Sequence, residues 1–206
     1  GKSTLLKMIY DDRLISGYAE YSGAIIKKGS IGYLAQMIDE KYSDKTAEEY
    51  LDTDEISSYG GLFSELGLNL ELLGHQKIRT MSGGERVKLQ LAKILMSNPD
   101  ILLLDEPTND IDINTLEWLE SFINKTRLPV LFVSHDETLI EHTANVIIHM
   151  EQLIKKSQCR ITVTHASYSE YLSARSLAFS KQQQMASKQR ADYNKQMEKW
   201  QQIYNR

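Results

Sequence analysis

The run Ile101-Leu102-Leu103-Leu104-Asp105-Glu106-Pro107 constrains this 206-residue chain more than any other segment. Four apolar residues without polar alternation suit a strand buried on both faces, the setting of a parallel sheet rather than of a half-solvated antiparallel one. The strand then ends on two adjacent carboxylates before a proline turn. Pro129-Val130-Leu131-Phe132-Val133 is a second run of the same kind, and Asn114 to Asn124 reads as the helix between them. The three segments together predict a βαβ crossover.

Other elements arrange themselves around that unit. Ser3 to Ile9 reads as the first turns of a helix. Two β-like runs follow, Tyr21 to Ile26 and Ser30 to Ala35, separated by the turn Lys28-Gly29. From about Asp44 to Arg79 the pattern is helical and polar; it opens on the capping box Thr46-Ala47-Glu48-Glu49 and is expected to break at Gly60-Gly61. Ser82 starts a clear helix to about Met96, with Val87, Leu89, Leu91, Ile94 and Leu95 on one broad apolar face. A short helix, Glu137 to Thr143, precedes strand-like Asn145 to His149 and Arg160 to Thr164.

Composition changes after that point. From Tyr168 to the end there is no glycine or proline, which permits one unbroken helix of roughly 58 Å at 1.5 Å per residue. Tyr193, Met197, Trp200 and Tyr204, at spacings of four, three and four, form a seam for a partner helix. The same tail holds seven Lys/Arg against three Asp/Glu in a chain of net charge −4, so an acidic body carries a basic arm suited to a phosphate-bearing partner.

Hydrophobic residues at 41% and charged residues at 25% predict a folded domain with an appendage and argue against a disordered chain. Cys159 is the sole cysteine, which excludes an internal disulfide; with no Cys/His cluster of zinc spacing, a reducing, cytoplasmic setting is expected. No apolar run approaches the roughly 18 residues of a membrane span, and the first residues lack a signal-peptide layout.

Three segments carry chemistry. Gly1-Lys2-Ser3-Thr4 matches the end of a phosphate-binding loop, in which backbone amides at a helix start surround phosphates, the lysine reaches β and γ oxygens and the hydroxyl binds Mg²⁺. Asp105 would hold that metal, and Glu106 would accept a proton from the attacking water or align it. Ser82-Gly83-Gly84-Glu85 is a capping box, and its glycines could let a phosphate approach the first amides of the helix closely.

In order and rough spacing, Gly1-Lys2-Ser3-Thr4, Gln36, Ser82-Gly83-Gly84-Glu85, Leu104-Asp105-Glu106-Pro107-Thr108-Asn109 and Val133-Ser134-His135-Asp136 resemble the ATP-binding cassette family. The resemblance spans about residues 1 to 150. It implies an α/β fold, the P-loop NTPase nucleotide-binding domain of that family, truncated at its front, over 1–165. A small helical subdomain would occupy about 44–97 and a helical linker segment 166–206. It also implies ATP and Mg²⁺ as cofactors. Gly1, Lys2, Ser3 and Thr4 would bind phosphates; Ser3, Gln36 and Asp105 would serve the metal. Glu106 and His135 would be catalytic, His135 as the switch histidine at the γ-phosphate. Gln36 would be the residue of the Q-loop, and Ser82, Gly83, Gly84 and Glu85 would address ATP held by a second cassette.

Within the family, Leu104 to Asp112, the short helical insert and the Gln/Lys/Arg-rich extension opened by Tyr168-Ser169-Glu170-Tyr171-Leu172 resemble the ABC-F branch. That branch joins two cassettes in one chain by a charged helical linker and acts on ribosomes. The resemblance implies ribosome, rRNA or tRNA as partner through the linker, with the style of members that protect ribosomes from antibiotics. Asp110-Ile111 stand where the branch usually has His and Leu, and Met81 replaces the usual leucine. A transporter cassette beneath membrane subunits is the alternative, and a catalytically inactive interaction module is a further one for the fragment alone.

Overall fold

The two apolar runs pair in parallel. In the computed structural model, which describes residues 1–153 and 158–204, β1 (Ile31–Leu34), β2 (Ile101–Asp105) and β3 (Val130–Val133) form a sheet in that spatial order. Leu34 lies opposite Leu104, and Asp105 opposite Val133. The crossover from β2 to β3 is made by α6 (Ile113–Lys125), which packs on α7 (Glu137–Thr143).

Alternation along β2 assigns its side chains to two layers. Leu102 and Leu104 join Leu34, Val87, Leu91, Leu119 and Leu139 in one cluster, which draws on α5 (Gly83–Met96), α6 and α7. Leu103 and Asp105 project to the other face, as does Tyr33, the register partner of Leu103. The helix α1 (Lys2–Tyr10) packs against β1 and β2. Leu102, Leu103 and Leu104 are at most 1% exposed, so each contributes about 1.5–3 kcal/mol of burial. That is why this strand tolerates no polar residue before Asp105.

A second cluster forms between α5 and the segment before it. Ala47, Leu51, Phe63, Leu66, Leu68, Ile78, Met81, Leu89 and Ala92 are buried together, across α2 (Ala47–Leu51), α3 (Gly60–Glu65) and the turns flanking α4 (Leu70–Leu73). The broad face expected on α5 therefore serves two cores: Leu89 and Ala92 turn to this cluster, Val87 and Leu91 to the sheet. Lys93 donates to the Tyr50 carbonyl and lies over the Tyr50 ring at 4.4 Å, tying α5 to α2.

Two expectations are corrected. Tyr21 to Ile26 form no strand: Gly23 takes φ +109°, Ile26 is 81% exposed, and no neighbouring strand offers hydrogen bonds among the described residues. A β-like pattern without a partner has nothing to pair with. Gly60-Gly61 do not interrupt a helix but open α3. The left-handed positions in this region are Asp52, at the end of α2, and Gly67.

By internal contacts the chain divides into Gly1–Thr143 and Ala144–Arg206. The second unit holds β4 (Ile147–Leu153) and β5 (Gln158–Thr164), paired antiparallel with Ile147 opposite Thr164, and α8 (Tyr168–Tyr204). The expected long helix is there, 37 residues or roughly 56 Å; residues 205–206 of the expected linker segment lie outside the described residues. Ser167 caps it, accepting from the Glu170 amide at 3.3 Å while Glu170 accepts from the Ser167 amide at 3.0 Å.

Candidate active site

The carboxyl ends of the three parallel strands share one edge of the sheet, where open α/β sheets bind ligands. Gln36 follows β1 by two residues, Asp105 ends β2 with Glu106 next, and His135 follows β3 by two. The fold thus delivers four expected residues to one edge without any local signal requiring it.

Two of these residues, Glu106 and His135, are bonded to each other. Glu106, 8% exposed, anchors its own amide to the Val133 carbonyl at 2.9 Å and accepts from the Asn109 amide at 3.2 Å. Its carboxylate receives the His135 amide on Oε2 at 3.1 Å, and the His135 Nε2 lies 3.3 Å from Oε1. Both oxygens are oriented by one residue of the loop that follows the neighbouring strand. The imidazole itself is 80% exposed, open to an incoming group. Ser134, between Val133 and His135, meets Thr108 Oγ1 at 3.2 Å and accepts from the Asp136 amide at 2.9 Å. Asp136 then caps α7 by accepting from the Leu139 amide at 3.0 Å, which fixes the loop that carries His135.

Asp105 is 1% exposed. Its Oδ2 accepts the Tyr33 hydroxyl at 3.0 Å, while Oδ1 is buried with no hydrogen-bond partner among the described residues. A buried carboxylate oxygen lacking a donor is costly, and a cation from outside the chain would satisfy it. The residues therefore fit Mg²⁺, which takes one or two carboxylates and completes its shell with phosphate oxygens and water. Burial pushes the Tyr33 phenol well above the ordinary tyrosine range, and the adjacent Asp105 charge and hydrogen bond act in the same direction.

The remaining expected residues stand apart from this group. Lys2 is exposed and Ser3 half-buried in the first turn of α1. Gln36 is exposed. No hydrogen bond or ion pair joins Lys2, Ser3 or Gln36 to the two acids among the described residues. Ser82 caps α5 as its spacing predicts, accepting from the Glu85 amide at 3.2 Å while Glu85 Oε2 accepts from the Ser82 amide at 2.7 Å.

Its glycines have a use the spacing did not suggest. A Cβ on Gly83 would lie 1.8 Å from the Asp110 carbonyl oxygen, and one on Gly84 would lie 2.4 Å from Thr115 Oγ1. The space is filled by the chain's own loop after β2 and by the first turn of α6. Asp110 takes φ +59° there, and Asp112 caps α6 through the Thr115 amide at 2.8 Å. Tyr33 is the residue sequence reasoning missed. Its signal was available: a tyrosine inside a buried strand must find a partner for its hydroxyl, and Asp105 was the polar group at the end of the adjacent run.

The ABC transporter family model matches residues 1–109, more than half of the chain. The chain belongs to the ABC transporter family. Relatives in that family include the erythromycin resistance ATP-binding protein MsrA of Staphylococcus epidermidis, 38% identical over 148 residues that make up 70% of this chain and 28% of that protein. A probable ATP-binding cassette sub-family F member 3 homolog of Encephalitozoon cuniculi is 32% identical over 175 residues, 85% of this chain and 27% of the relative. Such relatives support the F branch of the family. Among solved structures, one titled as a model of ribosome-bound archaeal Pelota and ABCE1 aligns with TM-score 0.59 and 25% identity, covering 80% of this chain and 28% of that one. The chain spans less than a third of the length of these relatives. No helix among the described residues is long and apolar enough to cross a membrane.

Proposed function

We propose that this chain is the first ATP-hydrolysing cassette, with the start of the interdomain linker, of an ABC-F protein that acts on the ribosome from the cytoplasm. The observation that carries the reading is the group on the sheet edge: a buried Asp105 with one oxygen unpartnered among the described residues, beside a Glu106 whose two oxygens are both oriented by His135. Relatives named for subfamily F and for erythromycin resistance, and the ribosome-bound neighbour, support the branch.

In this mechanism Lys2 and the amides of the first turn of α1 hold the β and γ phosphates. Asp105, Ser3 and Gln36 would hold the Mg²⁺, which would supply positive charge to offset that of the phosphates. Glu106 is the general base that aligns the attacking water and takes its proton. His135 orients Glu106 through its amide and imidazole and presents that ring to the γ-phosphate. Ser82, Gly83, Gly84 and Glu85 address the ATP of the second cassette. Domain boundaries at 165/166 and a helical subdomain over about 44–97 complete the proposal.

Replacing Glu106 with Gln in the full-length protein tests it. Hydrolysis should slow by about 10²- to 10⁴-fold, the size of a general-base effect, and ATP-bound protein should remain on ribosomes in a sedimentation assay. Unchanged turnover removes Glu106 from the mechanism, and recovery with a membrane complex instead of ribosomes assigns the chain to transport.

A further inference from the structure

Among the described residues the hydroxyl of Tyr33 has one hydrogen bond, and it goes to the acid at the end of the next strand. Tyr33 and Leu103 are register partners, so Tyr33 and Asp105 project from the same face of the sheet two positions apart, within reach of a long side chain. The phenol reaches Asp105 Oδ2 at 3.0 Å. The Tyr33 ring is held in turn by Tyr10, the last residue of α1, stacked at 5.0 Å between centroids with 23° between planes. The chain of contact therefore runs from the helix that begins at Lys2, through two aromatic rings, to the carboxylate at 105.

We infer that Tyr33 is a positioning residue for divalent-cation binding: by occupying Oδ2 of Asp105 it fixes the carboxylate so that Oδ1 is the oxygen offered to the metal, and the Tyr10 ring holds it in that place. The inference rests on the proposed role of Asp105 as a metal ligand. A carboxylate buried to 1% exposure with two free oxygens could rotate about its last bond or bind the cation through either oxygen. With Oδ2 committed to the phenol, one orientation remains, and the uncommitted Oδ1 is the atom left without a partner among the described residues. Outer-shell donors of this type typically alter metal affinity 10- to 100-fold when removed. Tyr33→Phe deletes the hydroxyl and keeps the ring, the stack and the strand position, so the loss is confined to that one bond.

The experiment titrates MgCl₂ into full-length protein carrying a fluorescent ATP analogue, and repeats the nucleotide titration in EDTA. For Tyr33→Phe the Mg²⁺ concentration at half-saturation should rise about 10- to 100-fold, with nucleotide affinity in EDTA unchanged. Tyr10→Ala, which leaves the hydroxyl but loosens the ring, should raise it by a smaller factor, about 3-fold. Asp105→Asn and Asp105→Asn/Tyr33→Phe should be alike, because the phenol acts only through that carboxylate. A Mg²⁺ requirement in Tyr33→Phe equal to that of the wild type overturns the inference. Should that variant fail to fold, an unshifted requirement in Tyr10→Ala does the same. If instead Asp105→Asn binds Mg²⁺ and nucleotide as the wild type does, the proposed metal role of Asp105 is what fails, and the positioning role falls with it.

Discussion

Glu106 holds its carboxylate on a left-handed backbone, φ +50°, at the exit of the most buried strand in the sheet. That conformation brings a Cβ close to the following carbonyl oxygen and costs a non-glycine residue about 1–2 kcal/mol. It persists because the Glu106 amide is fixed to Val133 and its carbonyl accepts from Asn109. The strained turn aims the side chain back at His135, so the conformational cost is tied to the site. Two variants separate backbone from side chain. Glu106→Ala and Glu106→Gly both lose the carboxylate and both leave the His135 amide without it, but only alanine retains the Cβ clash. Urea denaturation of the pair should find Glu106→Gly more stable by about 1 kcal/mol. Equal midpoints would mean that the turn relaxes once the carboxylate has gone, and that the carboxylate, not the neighbouring hydrogen bonds, holds it.

At the scale of elements, helix starts are where this sequence is most explicit. Thr46 with Glu49 and Ser82 with Glu85 form the reciprocal caps their spacing predicts, because a cap involves only residues three apart; Ser167 with Glu170 forms a third. α6 starts on a single charged cap, and that makes it sensitive to pH. The Thr115 amide and hydroxyl hold the Asp112 carboxyl below the usual carboxylate range. A depressed value means that the ionised form is favoured in the folded state. Its stabilisation is therefore complete above the ordinary aspartate value of about 3.9 and is lost as pH falls through the depressed one. Thermal melts of wild type and Asp112→Ala should differ at pH 7, with the wild type higher, and should converge in strong acid. Asp112→Asn, whose amide oxygen accepts at every pH, should lack that convergence. The same locality explains what was illegible. The run 21–26 has a strand pattern but no partner strand among the described residues, which only tertiary structure reveals. Gly83 and Gly84 announce a close approach, but nothing in their neighbourhood names Asp110 and Thr115, some thirty residues on, as what approaches. Likewise Glu106 and His135 were each readable from their motifs, whereas the bond between them depends on the β2–β3 register.

For the whole molecule, the asymmetry of charge becomes geometric in α8. Lys181, Lys188 and Lys195 are exposed and seven residues apart, so they form a stripe along one side of the helix. Tyr193 lies five residues past Lys188, about 140° around the axis at 3.6 residues per turn, and Met197, Trp200 and Tyr204 continue on that far side. All four of these apolar residues are exposed, Trp200 at 70%. The three lysines and these four apolar side chains thus lie on opposite sides of the helix. If the basic side meets ribosomal RNA, each lysine–phosphate contact releases counterions and steepens the dependence of binding on salt by about 0.7–0.9 in log–log slope. Replacing Lys181, Lys188 and Lys195 together by Ala in the full-length, ATP-bound protein should therefore lower the slope by up to about 2–3 and weaken ribosome binding most at low salt. Tyr193→Ala with Trp200→Ala should leave the slope alone, because no charge is removed. A triple lysine variant whose slope matches the wild type would show that these ammonium groups stay hydrated in the complex, and that the contact with the ribosome is made by another part of the protein.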